Sequence, residues 1–348
     1  MDFLDLDSAR MTENKHAVHP VVPADTAARP KLAIAVVADH FSAIRRVVDC
    51  LRAQEVCNQL ELVVAAPSRE KFGLPELPEL ARAHVVEVES VDPLPPARAA
   101  AVRAAVAPFV FVAETHSLPR PGWAAATIEA HERGAAAVVP AIGNGNPDDA
   151  ISWALLIVDY GRWLAPESPR ELDQVPGYNT SYRRDLLLAF GARLDELLEQ
   201  ESGLATELRQ RGERVCLEPN ARVDHLNISR QLPWIRDVFL AGRVLATMRV
   251  RRWSRLRRLV YLGGSPLIPF VLVWRSRRFW RRGSQSMPLP GTTFLAFVAV
   301  SIVMALGEMS GYAFRARRAE LLKMTYNELH RELYLTRTKA PSVAADRS

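Results

Sequence analysis

Cysteine is scarce in this chain. Three occur in 348 residues, at Cys50, Cys57 and Cys216, and no two form a Cys-x-x-Cys pair. An odd count without that spacing argues against a disulfide framework or a structural zinc motif, and reduced thiols in a cytosolic domain are the expectation. An apolar stretch near the amino terminus is also missing. Residues 1–30 are polar, charged and proline-containing, with nothing like a signal-peptide core, so they read as a disordered leader. The main domain is therefore expected in the cytoplasm. No internal repeat is visible. No DNA- or RNA-binding motif accompanies the formal charge of +6, and nucleic acid is not an expected partner.

What is present is an alternating pattern. An apolar, β-branched run at 32–38 predicts a buried strand. Residues 41–54 place Ile44, Val47, Val48 and Leu51 at helical spacing. Strands follow at 60–65, 84–88 and 109–112, with an alanine-rich helix at 96–107. Beyond them come a helix reaching 133, a strand at 135–142, a polar turn at 144–149 and a helix at 151–163. An irregular connection at 166–176 leads to helices opening at 183 and 203, and to a late strand at 213–217 that ends at Glu218-Pro219. This alternation predicts an α/β fold, with helices on both faces of a parallel or mixed sheet.

From about residue 232 the pattern changes. Residues 234–258 form a basic amphipathic helix, with Ile235, Val238, Phe239 and Val244 set against many arginines. The apolar segment 259–274 is short and holds Pro266 and Pro269, which fits a re-entrant or interfacial segment better than a crossing. The longer segment 289–314 can span a hydrocarbon core of about 30 Å. Arginines beside apolar segments favour anionic membrane lipid as partner. The positive-inside tendency puts 251–258 and 275–282 on the cytoplasmic side. Arg315, Arg317 and Arg318 would then face outward if the second segment crosses, so one span, a hairpin and two in-plane segments all stay open. The expected organisation is a leader (1–30), an α/β domain (31–230), a basic helix (231–258), membrane-associated segments (259–314) and a basic, polar tail (315–348).

Several stretches between residues 31 and 227 resemble family-2 glycosyltransferases of the GT-A fold, a Rossmann-like sheet that handles nucleoside-diphosphate sugars. The run 34–54 is similar to the family's first strand, loop and helix, where the strand end approaches the nucleotide. Asp39 and His40 lie in that loop; a polar loop with Ser42 capping the helix is the alternative. The run 97–123 is similar to the family's helix, strand, Asp-x-Asp-like motif and Pro-Gly-Trp-like turn. Here the acidic motif reads Glu114-Thr115-His116. The resemblance implies that Glu114 and His116 hold a divalent cation, Mn or Mg, which offsets charge on the departing nucleoside diphosphate. Imidazole is the softer ligand, which favours manganese over magnesium.

The run 177–184 is similar to the family's Gly-x-Asn-x-x-x-Arg segment, implying that Asn179 meets a sugar hydroxyl and that Arg183 or Arg184 pairs with phosphate. The run 200–212 stands where the family has an acidic pair. Its second acid, aligned here with Glu201, is the general base that deprotonates the acceptor hydroxyl in an inverting displacement; Glu199 is a register alternative. After the late strand, His225 is implied as a further metal or phosphate ligand, with Asp224 the lesser candidate. The family's Asp-Asp-Gly-Ser-like stretch is replaced by Ala65-Ala66-Pro67-Ser68. Together these imply a metal-dependent transferase on the cytoplasmic side of the cell membrane, acting on a lipid-linked or envelope-polysaccharide acceptor. The rival expectation is a non-catalytic membrane scaffold that keeps the GT-A shape.

Overall fold

The computed structural model describes residues 29–164, 168–199, 203–230, 233–250, 253–282 and 289–335. The expected leader lies almost wholly outside them. The chain opens with β1 (Leu32–Val37), α1 (Phe41–Arg52), β2 (Leu60–Ala66), the short α2 (Arg69–Phe72), β3 (Arg82–Glu87), α3 (Leu94–Ala104) and β4 (Phe109–Val112). Every residue of β1 and β2 is buried. Such buried runs, apolar throughout in β1 and broken only by Glu61 in β2, are what a parallel sheet covered on both faces requires. Ala43, Ile44, Val47, Val48 and Leu51 form the buried stripe of α1.

Next come β5 (Ser117–Pro119), α4 (Trp123–Glu132), β6 (Ala137–Asn144), α5 (Ala150–Tyr160), β7 (Arg170–Glu171) and β8 (Thr180–Arg183). They are followed by α6 (Arg184–Leu188), α7 (Arg193–Glu199), α8 (Gly203–Gln210) and β9 (Val215–His225). The strands join one mixed sheet in the order β3-β2-β1-β4-β8-β6-β9-β5, with β7 on β9. β1 to β4 pair in parallel, β8 runs antiparallel between β4 and β6, and β6 pairs in parallel with β9. The observed class is thus a mixed α/β sheet with packed helices.

One departure from the predicted elements shapes the site. The late strand does not stop at Glu218-Pro219. Its register against β6 shifts between Pro140 and Ala141, a bulge that absorbs the proline, and pairing resumes from Arg222 to His225. The extra length carries His225 to the same end of the sheet as the residues after β4, and β5 pairs Ser117 with His225.

His131, at the end of α4, ties this helix to the sheet. Its Nδ1 meets the Ala135 carbonyl and its Nε2 the Ser181 hydroxyl, each at 2.8 Å, and its ring stacks on Phe109. Burial pushes its pKa down to about 4, opposed by the Ala135 carbonyl and helped by Arg183. A lowered histidine pKa gives stability that is complete above the unfolded value near 6.5 and lost as pH falls towards 4. Between pH 6.5 and 5 this amounts to about 2 kcal/mol. The drop in thermal midpoint from pH 7 to pH 5 should therefore shrink in His131→Gln; an equal drop would place the acid sensitivity elsewhere.

After the sheet come α9 (Pro233–Arg249), α10 (Arg255–Gly264), α11 (Ile268–Arg282), α12 (Thr293–Phe314) and α13 (Arg318–Leu329). α10 and α11 join through a 3-10 turn at Ser265–Leu267, where Pro266 sits at the start and forfeits no helical hydrogen bond. Among the described residues two helical runs are long and apolar enough to cross a membrane, Arg255–Arg277 and Thr293–Phe314. The first is longer than its apolar sequence core predicts, because Pro266 falls in that turn and Pro269 in the first turn of α11, where a proline is tolerated. It leaves Leu256, Leu259, Val260, Phe270 and Trp274 exposed. α12 packs along α9 and against α5. Gly242, Gly307 and Gly311 line the crossing, where an added Cβ would run into backbone carbonyls of the facing helix. Arg249 donates across it to the buried Glu308 carboxylate, which also accepts from Tyr312 one turn further along α12.

Candidate functional site

β1 and β4 are neighbours whose connections leave in opposite directions, to β2 on one side and towards β8 on the other. In open α/β sheets the crevice beyond the carboxyl ends of such a strand pair is where ligands bind. Asp39 follows β1 there and Glu114 follows β4.

Glu114, His116 and His225 are all buried, and one ligand atom from each lies within 4.8 Å of the others. Glu114 Oε2 is 3.4 Å from His225 Nε2 and 3.8 Å from His116 Nε2. The carboxylate is held by three donors: Asn179 Nδ2 at 2.6 Å, Ser117 Oγ at 2.8 Å and Tyr160 OH at 3.1 Å. Burial, then the glutamate charge, keeps Tyr160 protonated as a donor.

The neighbours of the two imidazoles fix their tautomers. Asn227 donates its amide to Asn144 and Ser152, so its Oδ1 accepts from His225 Nδ1 at 2.8 Å. The Thr115 hydroxyl donates to the Glu328 carbonyl, so it accepts from His116 Nδ1. Each ring therefore turns an Nε2 lone pair towards the same carboxylate oxygen. Burial, with Arg331 nearby, drives the His116 pKa well down and keeps the ring neutral. Its Nε2 is buried and has no hydrogen-bond partner. Lone pairs facing a carboxylate without a proton between them are what a cation resolves. Donors on one ion are spaced by about 3.4 Å in a tetrahedral shell, close to the separations here. The residues fit a divalent ion, and the imidazoles favour a transition metal over magnesium.

The other residues singled out by sequence fall in different places. Asn179 is fully buried with φ +55°, and its amide is committed to Glu114 and Tyr160 rather than open to a sugar. Arg183 and Arg184 are corrected. β8 runs antiparallel to β4 with Thr180 opposite Val112 and Arg183 opposite Phe109, so both arginines lie at the far end of the sheet. Arg183 pairs with Asp185, and Arg184 donates to the carbonyls of Val102 and Arg103. Asp224 pairs with Arg120 at 2.7 Å, away from the cluster. Asp39 joins His40 and His330 in a second, half-buried group. Glu201 lies outside the described residues.

Sequence reasoning passed over Arg98, Tyr160 and the segment from α13 onward. Arg98 is buried on α3 with its guanidinium over the Tyr178 ring at 3.6 Å. Its Nε and Nη1 have no hydrogen-bond partner, and it borders the same cavity as Glu114. The signal was there: Arg98 shares the apolar face of α3 with Leu94, Ala101 and Val102. Residues expected to be a polar tail instead form α13 and a 3-10 turn at Arg331–Tyr334, packed over this end of the sheet.

No protein-family model matches the chain. No curated protein matches it either. Among solved structures it is similar to a crystal structure of GalNAc-T7 with UDP, GalNAc and Mn2+, at 14% identity and a TM-score of 0.44, over 86% of this chain and 57% of that one. The chain thus spans little more than half the length of that protein.

Proposed function

We propose that the chain is a GT-A-like, family-2-like glycosyltransferase that moves a sugar from a nucleoside diphosphate to a lipid-linked or envelope-polysaccharide acceptor, by inverting displacement. The observation that carries this reading is the buried Glu114, His116 and His225 group at the crevice between β1 and β4, with both Nε2 lone pairs converging on one carboxylate oxygen. A divalent cation there would neutralise charge developing on the leaving diphosphate. Asn179, Ser117 and Tyr160 orient the Glu114 carboxylate. Arg98, with two unpartnered donor atoms in a dry setting, takes over the phosphate role expected of Arg183 and Arg184. Asp39 stands at the strand end for the nucleotide, and Glu201 is proposed as the base on sequence grounds alone.

The apolar runs Arg255–Arg277 and Thr293–Phe314 support anchoring in membrane lipid, with the α/β domain on the cytoplasmic side. A second reading, a scaffold without catalysis, is favoured by one observation. The cavity left beside Glu114 and Arg98 measures about 10 Å³, room for a water but not for a nucleotide.

Calorimetric titration of the detergent-solubilised chain with uridine, guanosine and thymidine diphosphate sugars, with and without Mn2+, separates the two. The transferase reading expects metal-dependent binding of one donor. In Glu201→Gln it expects that binding kept and turnover reduced by about 10²- to 10⁴-fold. No binding by a folded chain across the panel selects the scaffold.

A further inference from the structure

The crevice is closed by residues from the far end of the chain. The Glu328 carbonyl accepts from Thr115, inside the acidic motif, at 3.3 Å. His330 Nε2 lies 3.2 Å from Asp39 Oδ2, at the end of β1. Thr325 donates to Asp92 at 2.7 Å, and Ser229 N donates to the Tyr334 carbonyl at 3.1 Å. The segment 318–334 is thus stitched to the loops after β1, β4 and β9.

Inside this seam one side chain points at the histidines. Glu328 Oε1 is sealed from solvent without a hydrogen-bond partner, 3.9 Å from the equally unpartnered His116 Nε2. Its other oxygen accepts from Arg331 at 2.8 Å, which fixes the direction of the carboxylate. Two buried acceptors that face each other beyond hydrogen-bond range, with no proton between them, leave a gap that a cation can fill. The gap opens on the His116 side of the Glu114, His116 and His225 group; Glu328 stands outside the set of ligand atoms that lie within 4.8 Å of one another, and a small inward shift of its carboxylate brings it to an ion held there.

Resting on the reading of that group as a cation centre, we propose that Glu328 is its fourth protein ligand. The ion then latches α13 across the mouth of the crevice. The Glu328 carboxylate occupies the coordination position that a donor diphosphate needs, so the donor must displace the segment to bind. The latch is regulatory: metal alone closes the site, and metal with nucleotide opens it.

The test needs no turnover. Mn2+ is titrated into the full chain, its Glu328→Gln and Glu328→Asp variants and a Glu332→Gln control, and amide exchange is followed over 318–334. Loss of a group that supports a metal costs roughly 10- to 100-fold in affinity. Both Glu328 variants are expected to weaken Mn2+ binding at least about tenfold, with Glu332→Gln unchanged. In the parent chain Mn2+ should slow exchange across 318–334, and in the Glu328 variants it should not. Uridine or guanosine diphosphate added with Mn2+ should release that protection. Mn2+ affinity and protection unaltered by either Glu328 substitution would overturn the proposal. Metal-linked protection that Glu328→Gln removes, in a chain that binds neither nucleotide, would uphold the latch and overturn the transferase reading.

Discussion

Replacing Glu114 with glutamine is expected to weaken Mn2+ binding by at least about 100-fold and to abolish metal-dependent donor binding. The change is nearly isosteric, so packing is kept and the charge is what goes. Without that charge, the two imidazoles and Glu328 face a dipole, and the site loses the anion on which both Nε2 atoms converge. There is a structural cost as well. Asn179, Ser117 and Tyr160 all donate to this carboxylate. A glutamine can accept through one oxygen only, and its amide nitrogen must point at a donor. One buried hydrogen bond lost in this way costs about 1–3 kcal/mol. The two effects part cleanly in experiment. A purely structural Glu114 would lower the thermal midpoint in Glu114→Gln while the parent chain bound no Mn2+. A cation centre requires the parent to bind and the variant to fail, with the fold checked by circular dichroism.

Gly307→Val is expected to prise α12 away from α9. A Cβ at Gly307 has no room, because the Phe239 carbonyl and the Arg243 amide of α9 already lie against the glycine. The obstructing atoms are backbone, so no rotamer change relieves the clash. Overpacking of this kind typically costs about 1–3 kcal/mol, and two rigid helices in backbone contact put this case at the upper end. Separating them also pulls Arg249 from Glu308, which leaves a buried carboxylate with its Tyr312 hydrogen bond but without its guanidinium partner. The measurement is thermal unfolding in detergent, with Gly263→Val as control, because a Cβ at Gly263 meets nothing within 4 Å. Equal midpoints for the two variants would mean that the close crossing does not bear on stability.

The parallel half of the sheet was legible because β1 and β4 are continuous apolar runs, β2 breaks its run only at Glu61, and α1 carries a clean helical stripe. The grouping of Glu114, His116 and His225 was also open to sequence, through a resemblance rather than through any periodicity. What could not be read depended on long-range pairing. β8 is four residues long, and its Thr-Ser-Tyr-Arg run carries no strand pattern. Without it, Asn179 and Arg183 seem to belong to one end of the sheet, when an antiparallel strand places them at opposite ends. The bulge in β9 hid behind Pro219, which reads as a terminator until a partner strand accommodates it. Residues from 318 onward look like a solvated tail because their burial comes from packing on loops some 200 residues away in sequence, as Thr115 and Glu328 show.

That long separation also sets an order of events during synthesis. His225 completes the three-residue group, and Leu329 ends the helix that covers it, 104 residues later. At about 5–20 residues per second, the crevice stands uncovered for roughly 5–20 s while α10 to α12 are being made. On the proposed reading as a cation centre, the group would be open to ions from the surrounding solution before its cover exists, and a chain starved of metal during that interval would fold its cover over an empty seat.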